Sequence, residues 1–484
     1  MTDYPAATVS GIAPAPPARL EPDAIGVAQD TVIGMASSAP AVCVALTLAP
    51  LALATAYGGV ASIVLTAIPM LIIANAYRRL NMWNANCGAS FEWVGRAINP
   101  YLGFMTGWLM IAGYIIGAIA GVVVLGPSVL AVFTSSSGST WTNVGIATAI
   151  SLAMLVIAII GIRITARTQV GMAVVEYTIL IGFAVVGLIE VLHHHHGTFP
   201  ISKGWFSPSG IGGKGSLVSG LLLSVFIFSG WEGTLYVNEE TKHRRINPGR
   251  AAIMAVILLT IIYSIAQLGL QGLVSPAKLQ SHSTSALVYV AQALGGSDWS
   301  KVMALALALS VIAATLTNIV LTSRIMYGMA SYRTLPEVLS GVSRRFATPV
   351  AASVVVGVLL IGLTWVYLLA GSLQNAFTSV IDTSGLLFAA FYILTALATI
   401  VYYRRRLVRS PWDALILGIL PIAAAVFLGW IIVKSIQGAA ASQNYSLIGV
   451  VVLGAILMFV ARYVLESPFF QIQRESDGGR QRRH

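Results

Sequence analysis

Twelve long apolar runs alternate with short polar loops along the chain, and this alternation leaves few folds open. A helix needs about 20 mostly apolar residues to cross a bilayer. The twelve runs reach that length; they start near Val27, Gly59, Pro100, Asn143, Gln169, Leu217, Arg250, Lys301, Pro349, Ala376, Asp413 and Ser446. Composition agrees, because only 9% of the 484 residues are charged and 57% are hydrophobic, against about 25% charged in a soluble domain. Too few ionisable groups remain to coat a water-facing surface. The fold class is an all-α integral membrane protein with 12 transmembrane helices.

The net charge of +11 would suggest nucleic acid in a soluble protein. Here the basic residues sit in short loops between apolar runs, so they read as orientation signals and imply no nucleic acid partner. An even number of spans puts both termini on one side. With both termini cytosolic, only Lys203, Lys214, Lys278, Lys301 and Lys434 fall outside, and the other 23 of the 28 Lys and Arg fall inside. This predicts a multi-pass protein of the cytoplasmic membrane. Residues 1–24, rich in Pro and Ala, have no apolar leader core and read as a disordered cytosolic tail. Residues 25–466 form the transmembrane domain, and 467–484 a polar cytosolic tail. The loop from Asn81 to Asn99 is long and amphipathic, and predicts a short helix along the membrane surface. Residues 286–294, in the longest outer loop, suit a short helix over an outer entrance, although solvent exposure alone also accounts for them. Cys43 and Cys87 imply no disulfide framework and read as small apolar fillers.

Two spans carry defects at matching depth. In "FIFSGWEGTLYVNEETK", Gly230 and Gly233 weaken span six about twelve residues in, beside Glu232. In "IGMASSAPAV", Gly34, Ser37, Ser38 and Pro40 interrupt span one about ten residues in. Proline removes a backbone donor and clashes with the preceding turn. Broken helices survive in lipid only where they face protein or a cavity. The two spans run antiparallel, which points to a five-plus-five inverted repeat with broken helices 1 and 6 and a midplane site between the repeats. Repeat one covers about 25–195 and repeat two about 210–405, and helices 11 and 12, about 411–466, are additions. Exposed helix N-termini suit a carboxylate and unwound carbonyls suit an ammonium group, so the pair suits an amino acid. A pair of packing kinks is the plainer alternative.

Three stretches carry a family resemblance. "FSGWEGTLYVNEETKHRRINPGRA", "GASFEWVGRAINPYLGFMTGWLMIAGY" and "NIVLTSRIMYGMASYRTLPEVLSGVSRRFATP" resemble the sixth span, the approach to the third span and the end of the eighth span in the amino acid–polyamine–organocation transporter superfamily. The likeness runs from about Asp23 to Glu466. It implies a secondary transporter working by alternating access, with spans one, two, six and seven rocking against three, four, eight and nine. It further implies that backbone N–H groups of Ala36, Ser37 and Ser38 meet a substrate carboxylate. Carbonyls near Ile33, Phe228 and Ser229 would meet the amine, and Phe226 would close over it. Glu232 matches an acidic position used in substrate or proton coupling, and Glu239 or Glu240 an inner gate. "GMASSAP" has one glycine where relatives have a Gly-rich run, which leaves room for amines lacking a carboxylate.

A carboxylate at membrane depth faces a cavity or a partner. Glu232 would serve coupling, or cap the helix segment that follows it. Glu176 on span five stands near a lysine of some relatives; it is a proton-carrier candidate, or a structural group bonded to span one or eight. Asp382 on span ten reads as a plain outer vestibule residue, or as part of an outer gate, and Asn318 on span eight as a bond to a neighbouring helix. Thr315 and Thr317 do not build a sodium cage, so a proton or an exchanged substrate is the expected coupling species. His193 to His196 read as an exposed loop rather than a metal site. No Walker loop appears, which argues against ATP-driven pumping. No catalytic residue, metal site or cofactor is indicated, and the chain does not read as an enzyme. The favoured function is secondary transport of amino acids or related amines, proton-coupled or exchanging; the alternative is a membrane sensor that binds without translocating. Monomer and homodimer both stay open.

Overall fold

The computed structural model describes residues 19–55, 58–134, 138–193, 199–207, 214–275, 278–279, 286–370, 377–438 and 441–476. Twelve helical stretches among them are long and apolar enough to cross a membrane. They start at Val27, Gly59, Pro100, Thr140, Ile162, Leu217, Asn247, Ala286, Val350, Thr383, Pro411 and Asn444, and so follow the twelve runs read from the sequence. Among the described residues the only extended pairing is an isolated bridge between Ile25 and Thr241.

Span one is two helices, Val27–Ser37 and Pro40–Thr55. They are separated at Ser38 and Ala39, and Ala39 sits at φ 45°. Pro40 accounts for the restart, since its ring fits the first turn of a helix but not the interior of one. Span six runs as an α-helix only from Lys214 to Ile227. Gly230, at φ 110°, then turns the chain into a 3-10 segment, Trp231–Leu235. The two interrupted spans sit in the protein interior, whereas span twelve faces outward along most of its length.

Three regions differ from the sequence reading. The helix expected along the membrane surface forms at Ser90–Ala97, but Ser90, Phe91, Glu92, Trp93, Val94, Gly95 and Ala97 are buried. Its apolar side chains find protein on both sides: span three on one, and Phe469, stacked on Phe91 at 4.1 Å, on the other. The C-terminal tail is therefore not wholly a solvated strand, because Ser467 and Phe469 are fully buried and Arg96 pairs with Glu475 at 2.8 Å. The N-terminal tail is likewise anchored over its last residues. Leu20 is buried, Glu21 pairs with Arg163, and the N–H groups of Ala24 and Ile25 donate to Glu240 O. Residues 286–294 are helical, and non-helical backbone at Gly295 and Gly296 separates them from the rest of span eight.

Candidate functional site

The two breaks touch through bare backbone. A Cβ at Gly230 would lie 2.8 Å from Ser37 C and 2.9 Å from Ser38 N. One at Gly34 would lie 2.6 Å from Thr234 Cγ2 and 2.9 Å from Trp231 O. Any larger residue would push the breaks apart, and Gly230 also needs its positive φ.

A cavity of about 60 Å³ opens beside this contact. Ser37, Ser38 and Ala39 form one wall, and Phe226 and Ser229 another. Gly113, Tyr114 and Gly117 come from span three, Thr315 and Asn318 from span eight, and Ser384 and Phe388 from span ten. None of the lining side chains is charged. Most polar hydrogens on the wall are already engaged with carbonyls. Ser384 Oγ donates to Gly113 O at 3.1 Å, Thr315 Oγ1 to Val311 O at 2.8 Å, and Cys43 Sγ to Ser38 O at 2.8 Å. Asn318 Nδ2 donates to Ala314 O at 2.9 Å, which leaves Oδ1 as an acceptor. The oxygens of Ser384, Thr315 and Asn318 thus face the cavity as acceptors, which suits an ammonium group, while the Ser37 and Ser38 hydroxyls are left without a partner and can donate to a carboxylate.

Of the residues singled out from the sequence, Ser37, Ser38, Phe226 and Ser229 line the cavity together, whereas Ile33, Ala36 and Phe228 are buried without lining it. The N–H of Ser38 donates to Met35 O at 3.0 Å, so it closes the last turn of the first half-helix. Ser38 Oγ is buried without a partner. Phe228 packs against Tyr263, with ring centres 5.7 Å apart.

Glu232 does not line the cavity either. It lies behind Tyr114, whose hydroxyl donates to its Oε1 at 2.6 Å, and it accepts from Tyr392 at 2.5 Å and from Gly230 N at 3.1 Å. Trp231 stacks on Tyr392, with ring centres 5.6 Å apart. Three donors suffice to hold a carboxylate in an otherwise apolar surround. Neither tyrosine was picked out from the sequence. Their only signal was a phenol at membrane depth, which needs a polar partner.

Glu176 caps the second half of span one, its Oε1 accepting from Ala41 N at 3.0 Å. Pro40 has no N–H, so Ala41 offers the first donor of that half-helix, and Val42 N turns to Ser310 Oγ at 3.4 Å. A carboxylate at a helix N-terminus also meets the positive end of the dipole. Thr315 and Thr317 donate to Val311 O and Ala313 O, and no cluster able to hold a metal ion occurs among the described residues. His193 ends span five, while 194–196 and the Asp382 side chain lie outside the described residues.

The side bearing both chain ends is sealed. Arg324 and Glu240 are fully buried and pair through two contacts of 3.0 Å. Ala24 N and Ile25 N reach Glu240 O at 2.8 and 3.1 Å, Lys242 N reaches Ile25 O at 2.9 Å, and Thr241 Oγ1 reaches Asp30 at 3.3 Å. Glu239 accepts from Cys87 N at 3.1 Å. Burial holds its carboxyl above the usual carboxylate range, against the pull of that N–H and of Arg244. The cavity extends the other way, along Val42 and Leu46.

The sequence matches the amino acid permease family over residues 29–463. It is 27% identical over 253 residues to the human Asc-type amino acid transporter 1, a match covering 52% of this chain and 46% of that one. The aligned region thus spans about half the length of that relative. The D-serine/D-alanine/glycine transporter of Escherichia coli K12 is 21% identical over 346 residues, 70% of this chain and 71% of that one. The fold resembles that of a manganese transporter from Eremococcus coleocola, with a TM-score of 0.60 at 14% identity, covering 91% of this chain and 94% of the other.

Proposed function

The chain belongs to the amino acid permease family, and from that premise we propose that it is a secondary transporter carrying a small amino acid or related amine across the cytoplasmic membrane, with both termini in the cytosol. The observation that carries this reading is the contact of two broken spans beside a cavity closed on the termini side. That pairing supports alternating access: the substrate enters from outside and leaves when the contacts around Glu240 part. The substrate's ammonium group meets the acceptors of Ser229, Thr315, Asn318 and Ser384, and Phe226 closes over it. A carboxylate, where the substrate has one, meets the break of span one at Ser37 and Ser38. The absence of charge on the wall favours a zwitterion with a small neutral side chain over a basic one, in keeping with the D-serine, D-alanine and glycine named for one relative. Glu232 acts on the substrate through Tyr114. Glu176 and Glu232 are the proton-coupling residues in this scheme, since Glu176 joins the break of span one to span five and Glu232 joins that of span six to span three of the scaffold.

Uptake by the purified protein in liposomes tests this, over a panel of neutral, basic and acidic amino acids and polyamines, with and without a pH gradient. Concentrative uptake of small neutral amino acids driven by an inward proton gradient is the expected result. Gradient-independent uptake that needs internal substrate would replace coupling with exchange. Binding without flux would make the protein a sensor.

A further inference from the structure

The termini-side ends of spans two and seven meet in a cluster of arginines that the transport site does not use. Span two is Gly59–Trp83 and span seven Asn247–Gln271. Arg78 lies directly over the start of span seven: a Cβ at Gly249 would come within 2.6 Å of Arg78 Cγ and 2.8 Å of its Cα. Arg250 is the next residue, and the charges of Arg79 and Arg250 both act on Arg78. Tyr403 from span ten donates to Arg79 O at 2.9 Å, and Arg406 stacks on that ring at 5.4 Å, so a fourth guanidinium borders the cluster.

Arg78, Arg79 and Arg250 have no counter-charge among the described residues, and the Arg79 Nε is buried without a hydrogen-bond partner. Of the two carboxylates in the adjoining loop, Glu240 is held by Arg324, and Glu239 accepts from Cys87 N with Arg244 acting on it. Arg250 also stands in the first turn of span seven, where the helix dipole favours an anion over a cation. Orientation signals need only sit in loops; they give no reason to pack Arg78 against a helix contact.

The face beyond the cluster is apolar and turned outward. Met254, Ile257 and Ile261 follow Arg250 at helical spacing and are 42%, 43% and 49% exposed. Span seven therefore presents cations at its end and a hydrocarbon-compatible stripe along its length, the pattern of one amphiphile rather than of a free anion.

We propose that Arg78, Arg79 and Arg250 bind the headgroup phosphate of an acidic phospholipid, with an acyl chain lying along Met254, Ile257 and Ile261. The site ties spans two and seven to the leaflet on the termini side, beside the loop that closes that side.

Thermal melting of the full-length protein in detergent, titrated with dioctanoyl phosphatidylglycerol, tests this. A saturable rise in melting temperature is expected, larger than any given by dioctanoyl phosphatidylcholine and not reproduced by inorganic phosphate. Arg78→Gln and Arg250→Gln should each raise the half-saturating concentration about fivefold. Arg345→Gln, in the loop between spans eight and nine, should not. Equal stabilisation by both lipids, or an unshifted titration in both variants, would overturn the proposal. Full stabilisation by phosphate alone would replace the lipid with a free anion. Arg250 is exposed, so Arg250→Gln carries the test if Arg78→Gln fails to fold.

Discussion

Glu232 shows what one buried carboxylate does when its neighbours are phenols. Tyr114, Tyr392 and Gly230 N between them supply three hydrogen bonds to the group. Tyr114 also lines the cavity, so the carboxylate is one side chain away from the substrate. If Glu232 couples through Tyr114, Glu232→Gln should leave folding near normal, lower uptake at least about tenfold, and flatten its pH dependence. Uptake measured across pH in liposomes checks this, and an unchanged profile would reduce Glu232 to a cap. Tyr114→Phe should mimic the loss while leaving the Tyr392 bond in place. Gly230 makes the complementary point about backbone. Its φ of 110° and its 2.8 Å approach to Ser37 predict that Gly230→Ala destabilises by about 1–3 kcal/mol. Gly171, mid-helix with nothing within 4 Å of its missing Cβ, is the control: Gly171→Ala should be neutral or stabilise by up to about 1 kcal/mol. Melting curves of the two variants separate strain from mere loss of glycine.

At the scale of elements, the spans and both breaks were legible because their signals are local. Hydropathy marks a span over about 20 residues, and a proline or a glycine pair marks where the ladder fails. The short helix at Ser90–Ala97 was legible as a helix but not as a buried one. Its amphipathic pattern is the same whether the apolar face meets lipid or Phe469, and Phe469 lies far along the chain. On the termini side the resemblance pointed to Glu239 or Glu240, but the partner was hidden, since Arg324 lies 84 residues from Glu240. The energetics of the pair are testable. Removing one partner of a buried ion pair leaves the other uncompensated, at a cost of about 3–5 kcal/mol. Glu240→Gln and Arg324→Met should each fall in that range, and the double variant should cost clearly less than their sum. A double-mutant cycle on thermal unfolding reads the coupling directly; additive losses would mean that the pair contributes nothing as a pair.

For the whole molecule, the two cysteines report on opposite ends of the proposed cycle. Cys43 lies on the cavity wall in the second half of span one, and Cys87 is fully buried beside Glu239 under the sealed side. Burial, and then the Glu239 carboxylate, push the Cys87 thiol well above its ordinary range. The thiolate is the reactive form, so Cys87 should stay inert while that side is closed. A membrane-impermeant maleimide added outside should therefore spare Cys87, whereas Cys43 should react slowly through the cavity, its thiol being buried and bonded to Ser38 O, and substrate should protect it by filling that space. Opening the termini side reverses the pattern: Cys87 meets water, its thiolate fraction rises, and reagent trapped inside the vesicle reaches it. Glu240→Gln, which weakens the pairing with Arg324 and leaves the Glu240 carbonyl bonded to Ala24 and Ile25, should raise the Cys87 rate and lower the Cys43 rate in the same preparation. The reciprocal change is the critical readout, because local loosening alone would speed Cys87 without slowing Cys43. If Cys43 keeps its wild-type rate in Glu240→Gln, the two sides are not coupled and a single rocking motion does not describe this protein.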